Sequence, residues 1–118
     1  MSTITTSQTR RPNRRSSIRR RLRTDVHIEC RKGIMGLGPN LTHYFLDISQ
    51  TGVRLALKAP LQKGEEAEVL ITGAGPQAIK RMTDVVWSLP MANGCHGTGL
   101  HFRQEMSFAE LQQITRPA

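Results

Sequence analysis

From residue 26 onward, apolar and polar side chains take turns. Val26, Ile28 and Cys30 alternate with His27, Glu29 and Arg31, the period-two pattern of a strand with one buried face. The same reasoning predicts further strands over 41–47, 53–58, 67–72, 78–89 and 98–103. Breakers separate them: the glycine-rich run 33–40, the turns at 49–52, 60–64 and 73–77, and the loop 90–97. One helix follows. Ser107 and Glu110 have the spacing of a capping box, and Phe108, Leu111 and Ile114 then fall roughly along one face. Six short strands with turns between them predict an all-β body: a small antiparallel barrel or sandwich with a short C-terminal helix. No internal repeat is visible.

Residues 1–17 break this pattern. They are rich in Ser, Thr, Arg, Asn and Gln, with one Pro and only Met1 and Ile4 apolar, too polar to bury a core, and are expected to form a flexible, disordered arm. The domain proper is then 18–118, with 18–23 as a hinge. The 118 residues suffice for one small domain. The formal net charge of +8 is localised. Arg10, Arg11, Arg14, Arg15, Arg19, Arg20, Arg21 and Arg23 precede the first strand with no acid among them, and the rest of the chain is neutral. A uniformly basic nucleic-acid-coating protein is excluded.

Cys30 and Cys95 fit neither a zinc-ligand spacing nor a disulfide framework, so a cytoplasmic location is expected. No apolar run is long enough to span a membrane, no membrane insertion is expected, and no secretory leader is apparent. Enzymatic motifs are missing. There is no GxSxG or HExxH; Gly33, Gly36 and Gly38 lack a dinucleotide spacing, and no phosphate-binding loop ends in Lys-Ser or Lys-Thr. His27, His43, His96 and His101 are scattered, so no metal site is expected. The chain reads as a binding module, not an enzyme.

Two features rise above this background. One is the arginine cluster before the first strand. The other is Asp47-Ile48-Ser49-Gln50-Thr51-Gly52. Arginine offers a planar fork of donors to phosphate oxygens and to the O6/N7 edge of guanine, and it stacks on bases. An ionised Asp accepts from the N1–H and N2–H donors of guanine. Gly allows a positive φ or a close approach. Alone, an arginine run is a solvated polybasic segment, and Asp-x-Ser-x-x-Gly is a self-bonded hairpin turn.

Taken together the order is more specific. An RxxxR pair (Arg19, Arg23) stands before the first strand, and D-x-S-x-x-G (Asp47, Ser49, Gly52) follows. Then come Pro60-Leu61-x-x-Gly64, Val85-Val86-Trp87 and Gly99-Leu100-x-Phe102. The chain thus resembles the PilZ domain family from residue 18 to about 115. The resemblance implies a six-stranded antiparallel PilZ-type β-barrel that binds cyclic di-GMP, with no other cofactor. It implies that Arg19 and Arg23 clamp phosphates and stack on guanine, and that Asp47, Ser49 and Gly52 hold a guanine edge. The run of arginines lets the register slide, so Arg20 or Arg21 can share the phosphate work. Trp87 matches a family landmark and is expected to pack in the core. The expected function is a receptor or adaptor whose arm changes conformation on binding and acts in trans on an effector protein. The alternative is a small barrel that binds RNA or DNA through its arginine arm. A third reading is an adaptor that retains the motifs without using them.

Overall fold

The computed structural model describes residues 20–73 and 75–116. In chain order the elements are β1 (Arg21–Leu22), β2 (His27–Lys32), β3 (Thr42–Ile48), β4 (Gly52–Leu57), β5 (Glu66–Thr72), β6 (Ile79–Pro90), β7 (His96–Phe102), α1 (Phe108–Ile114) and β8 (Thr115–Arg116). Strands β2 to β7 form one six-stranded antiparallel sheet in the order β2-β5-β6-β7-β4-β3. The sheet curls until its edge strands nearly meet. Leu41 N–H donates to the Cys30 carbonyl at 2.7 Å, and the Asn40 side-chain carbonyl accepts from the amides of Cys30 (3.0 Å) and Thr42 (3.1 Å). The result is a nearly closed β-barrel with one helix, the all-β fold expected from the alternation.

Alternation explains the interior. Val53, Leu55 and Leu57 of β4, Val69 and Ile71 of β5, and Leu100 and Phe102 of β7 are at most 2 % exposed. Each such side chain contributes about 1.5–3 kcal/mol by leaving water, most of it offset by chain entropy. Thr83 is buried among them, and its hydroxyl is satisfied by donating to the Ala67 carbonyl at 2.8 Å. Burial also pushes the Cys30 thiol up to about 12, so it behaves as a small apolar side chain.

Helix α1 has the predicted capping box. Glu110 N–H donates to Ser107 Oγ at 3.0 Å, and Ser107 N–H donates to Glu110 Oε1 at 2.9 Å. Leu111 and Ile114, with Met106 just before the helix, belong to the buried core. Phe108 does not share that face; it stands outward, 53 % exposed.

Two expectations change. The part of the 18–23 hinge that is described is not a free connection. Arg20 and Ile48 exchange backbone hydrogen bonds (2.9 and 3.3 Å), and β1 pairs antiparallel with β8 through Arg21↔Arg116 and Leu22↔Thr115. A two-residue strand is too short to show a hydrophobic period, which is why the sequence hid it. The second change concerns Trp87. It lies on the outer face of the barrel over Gly99, not in the core. Between Val85 and Trp87 the register against β7 shifts, so β6 advances two residues while β7 advances one. This β-bulge at Val86 reverses the parity, and Val85 points in while Trp87 points out. Residues 1–17 and Arg19, on which the disordered arm and part of the site were placed, lie outside the described residues.

Candidate functional site

A second bulge orients the acidic motif residue. Phe45 pairs with Leu55, and the next paired residue of β3, Asp47, faces Arg54 of β4. The bulge at Leu46 turns Asp47 outward, where strict alternation would send it inside. Its carboxylate and the Arg54 guanidinium form a two-pronged ion pair: Arg54 Nε donates to Oδ1 at 2.9 Å, and Nη2 donates to Oδ2. The Asp47 side chain is 15 % exposed and that of Arg54 is 42 %, so the acid lies beneath its partner. The carboxylate bonds raise the Arg54 pKa further above its ordinary value, against partial desolvation.

The turn after Asp47 is rigid for local reasons. Ser49 is buried, its N–H donates to the Gly52 carbonyl at 2.9 Å, and its Oγ accepts from Thr51 N–H at 3.3 Å. Ser49 Oγ also lies 3.2 Å from Thr51 Oγ1. The side chain expected to touch a ligand is thus used to close its own turn. Gly52 has no positive φ. Its lack of a side chain serves close approach instead, since a Cβ there would sit within 3.0 Å of the Leu100 carbonyl oxygen on β7. Gln50 fastens the turn to the start of the helix: its side-chain amide donates to the Met106 carbonyl at 3.1 Å, and its carbonyl accepts from Met106 N–H at 2.9 Å.

Strand register then extends the site across the outer face. Asp47 stands opposite Arg54, Arg54 opposite Gly99, and Gly99 opposite Trp87. The row thus holds an anion, a cation, a bare glycine and an indole lying over that glycine. Its middle borders a recess of about 90 Å³ lined by Gly52, Arg54, Val86, Trp87, Gly99 and His101, among others. Carboxylate, guanidinium and indole are suited to a planar, hydrogen-bonding base.

The arginine segment reaches this face from one side. The Arg20–Ile48 backbone pair lays it against the residue between Asp47 and Ser49. The Arg20 guanidinium carbon sits 5.5 Å from the centroid of the Phe108 ring. Arg23 is not brought to Asp47. Its backbone N–H donates to the Ile114 carbonyl (2.9 Å), its Nε to the Thr115 carbonyl (3.2 Å) and its Nη2 to the Gln112 carbonyl (3.5 Å). Gln112 and Ile114 lie in the last turn of α1 and Thr115 is its C-cap, where carbonyls lack intrahelical partners and a cation is favoured. The structure therefore joins Arg20, Asp47, Ser49 and Gly52 and holds Arg23 on the helix.

Sequence reasoning missed three members of this surface: Arg54, the outward Trp87, and Phe108. Arg54 had a readable signal, because a hairpin closed at Ser49–Gly52 pairs Ile48 with Val53 and hence Asp47 with Arg54. The other two had none, since one depends on a bulge and the other on where the helix docks. Among the described residues, no group of three or more His, Cys, Asp or Glu could hold a metal ion, and no helix is long and apolar enough to cross a membrane.

No curated protein matches the chain in sequence. Among solved structures it is similar to the inhibitor of motility MotI/DgrA of Bacillus subtilis, with a TM-score of 0.60 at 14 % identity. The match covers 87 % of this chain and 49 % of that one, so the chain spans about half the length of that neighbour. At this identity the likeness shows the fold alone. The family model described as "PilZ domain" matches residues 13–116. With the barrel, the outward Asp47, the Ser49–Gly52 turn and the arginine segment beside them, that match over most of its length shows that the chain belongs to the PilZ domain family, whose members are non-enzymatic cyclic di-GMP receptor and adaptor domains.

Proposed function

We propose that this chain is itself a cyclic di-GMP receptor whose N-terminal segment closes on the ligand and acts on an effector protein in trans. The observation that carries the reading is the backbone pairing of Arg20 with Ile48, the residue next to Asp47. A cyclic dinucleotide offers two phosphates and two guanines. Asp47 accepts from the N1–H and N2–H edge of one guanine, while the two-pronged pair with Arg54 holds that carboxylate in place. Trp87, over Gly99, supplies a flat wall beside the same row. Arg19, Arg20 and Arg23 meet the phosphates. For Arg23 this means exchanging the α1 carbonyls for a charged acceptor. Its bonds to those carbonyls already have an ionised donor, and a phosphate adds an ionised acceptor opposite it, which strengthens each bond.

The arm supplies the output. Closing it orders residues at about 1–2 kcal/mol per backbone unit, a sum similar to the gain from the phosphate bonds. Binding in the submicromolar to micromolar range with clear salt dependence follows. The existing Arg20–Ile48 and β1–β8 pairings lower that ordering cost, because the last part of the segment is already placed. The resemblance of fold to MotI/DgrA, named as an inhibitor of motility, fits an adaptor that acts on another protein. The reading takes the chain to work in the cytoplasm.

Titration calorimetry with cyclic di-GMP tests this reading. Arg19→Ala, Arg23→Ala and Asp47→Ala should each weaken binding at least tenfold, a change of about 1.4 kcal/mol. Linear GMP and GTP should bind far more weakly than the cyclic dinucleotide. Wild-type affinity in all three variants would remove the site.

A further inference from the structure

Beside the motif, one aromatic side chain has no structural task. Phe108 begins α1, yet Leu111 and Ile114 supply the buried face of that helix and Phe108 stands 53 % exposed. Its ring lies under the Arg20 guanidinium at 5.5 Å from the ring centroid. Arg20 Nε is buried and meets no acceptor among the described residues. A guanidinium over a ring face is held by the ring quadrupole without using up its N–H donors. The ring thus holds the group while at least one of its donors, the buried Nε, is left without an acceptor among the described residues.

The surroundings keep this pair in place from both sides. The Arg20 backbone is bonded in both directions to Ile48. Two residues before Phe108, Met106 is bonded to Gln50 of the Ser49–Gly52 turn through both backbone and side chain. Ring and arginine therefore belong to one rigid cluster with the motif, although Phe108 lies about sixty residues from Asp47 in sequence.

We infer that Phe108 is a positioning residue of the ligand site. Its ring holds the Arg20 guanidinium as a ready donor for an anionic phosphate oxygen of the ligand. The inference rests on the proposed cyclic di-GMP reading and deepens it. It assigns Arg20, among the neighbouring arginines, a pre-set orientation, and it makes the first turn of α1 part of the binding surface. Arg23 has no such support, because its guanidinium is occupied by the carbonyls at the far end of the helix.

The test is a double-mutant cycle read by calorimetry with cyclic di-GMP. Phe108→Leu keeps apolar bulk and removes the ring; Phe108→Ala removes both; Phe108→Tyr keeps the ring. The Leu and Ala variants should bind about tenfold more weakly with unchanged thermal unfolding, and the Tyr variant should bind like wild type. In an Arg20→Ala background, Phe108→Leu should have no further effect. In the ligand-free protein, the Arg20 Cδ protons should show an upfield ring-current shift that Phe108→Leu abolishes. Wild-type affinity in Phe108→Leu overturns the inference and leaves the functional reading standing. An equal loss with and without Arg20 also overturns it, since the ring would then act on the ligand directly. Absence of the ring-current shift does the same. Failure of the wild-type chain to bind cyclic di-GMP brings down both the functional reading and this role for Phe108.

Discussion

Single residues on the outer face carry opposite burdens. Gly52 and Gly99 are both strand glycines, but their neighbours differ. A methyl group at Gly52 would meet the Leu100 carbonyl, part of the adjacent strand's backbone. Neither strand can retreat without disturbing the core beneath, so Gly52→Ala should destabilise the fold by about 2 kcal/mol, read by chemical unfolding. At Gly99 the added methyl would meet the Trp87 indole, a partly exposed ring on the outer face. That ring can tilt away. Gly99→Ala should therefore cost less stability than Gly52→Ala and instead shift the fluorescence of the one tryptophan in the chain. Equal stability losses with unchanged emission would contradict the outward placement of Trp87. Asp47 and Arg54 show the same dependence on surroundings. A motif identifies the acid, but the cation that holds it comes from hairpin register.

At the scale of elements, two bulges and one helix end decide the site. Without the bulge at Leu46, Asp47 would point into an apolar barrel. Without the one at Val86, Trp87 would be a core residue. Bulges next to functional surfaces re-aim side chains in this way. Helix α1 is too short to stand alone and depends on packing and on its cap. Glu110 closes the capping box and also accepts from Arg81 Nη2 on β6 at 2.6 Å. The bond from the Ser107 amide, aided by Arg81, lowers the Glu110 pKa below its ordinary 4.5. A lowered pKa in the folded state adds stability above the unfolded value, and that stability is lost as pH falls through the folded one. Wild type should therefore be more stable than Glu110→Gln at neutral pH. The gap should stay level down to about pH 5 and close on further acidification. Ser107→Ala should cost about 1 kcal/mol at neutral pH. Chemical unfolding of these variants across pH measures both. A gap that widens in acid would show that Glu110 does not act through its charge.

The whole molecule is a neutral barrel joined to a segment that carries the entire net charge of +8. The two parts suit different ligands. Nonspecific binding of RNA or DNA through phosphates needs many cations and weakens steeply with salt, whereas the proposed site needs only the arginines nearest β1. Removal of residues 1–17 should therefore abolish retention of single-stranded RNA or DNA on a filter and leave cyclic di-GMP affinity within about threefold of wild type, less than half of a tenfold step in free energy. Loss of both activities together would favour the alternative of a barrel that binds nucleic acid through its arm.

Alternation, turn residues and the Ser107–Glu110 spacing determined the six strands, their approximate ends and the helix cap, because each depends on neighbours a few residues away. The motif order singled out Arg19, Arg23, Asp47, Ser49 and Gly52, with Arg20 or Arg21 sharing the phosphate work; of these, the fold gathers Arg20, Asp47, Ser49 and Gly52 on one side of the barrel. Only the tertiary structure decided that Asp47 and Trp87 face outward, that Arg23 is drawn to the carbonyls of α1, and that Phe108 lies under Arg20. The physical reason is that a single bulge inverts the facing of every later residue in a strand, and a helix chooses its neighbours by docking. Neither event leaves a local trace in composition or period.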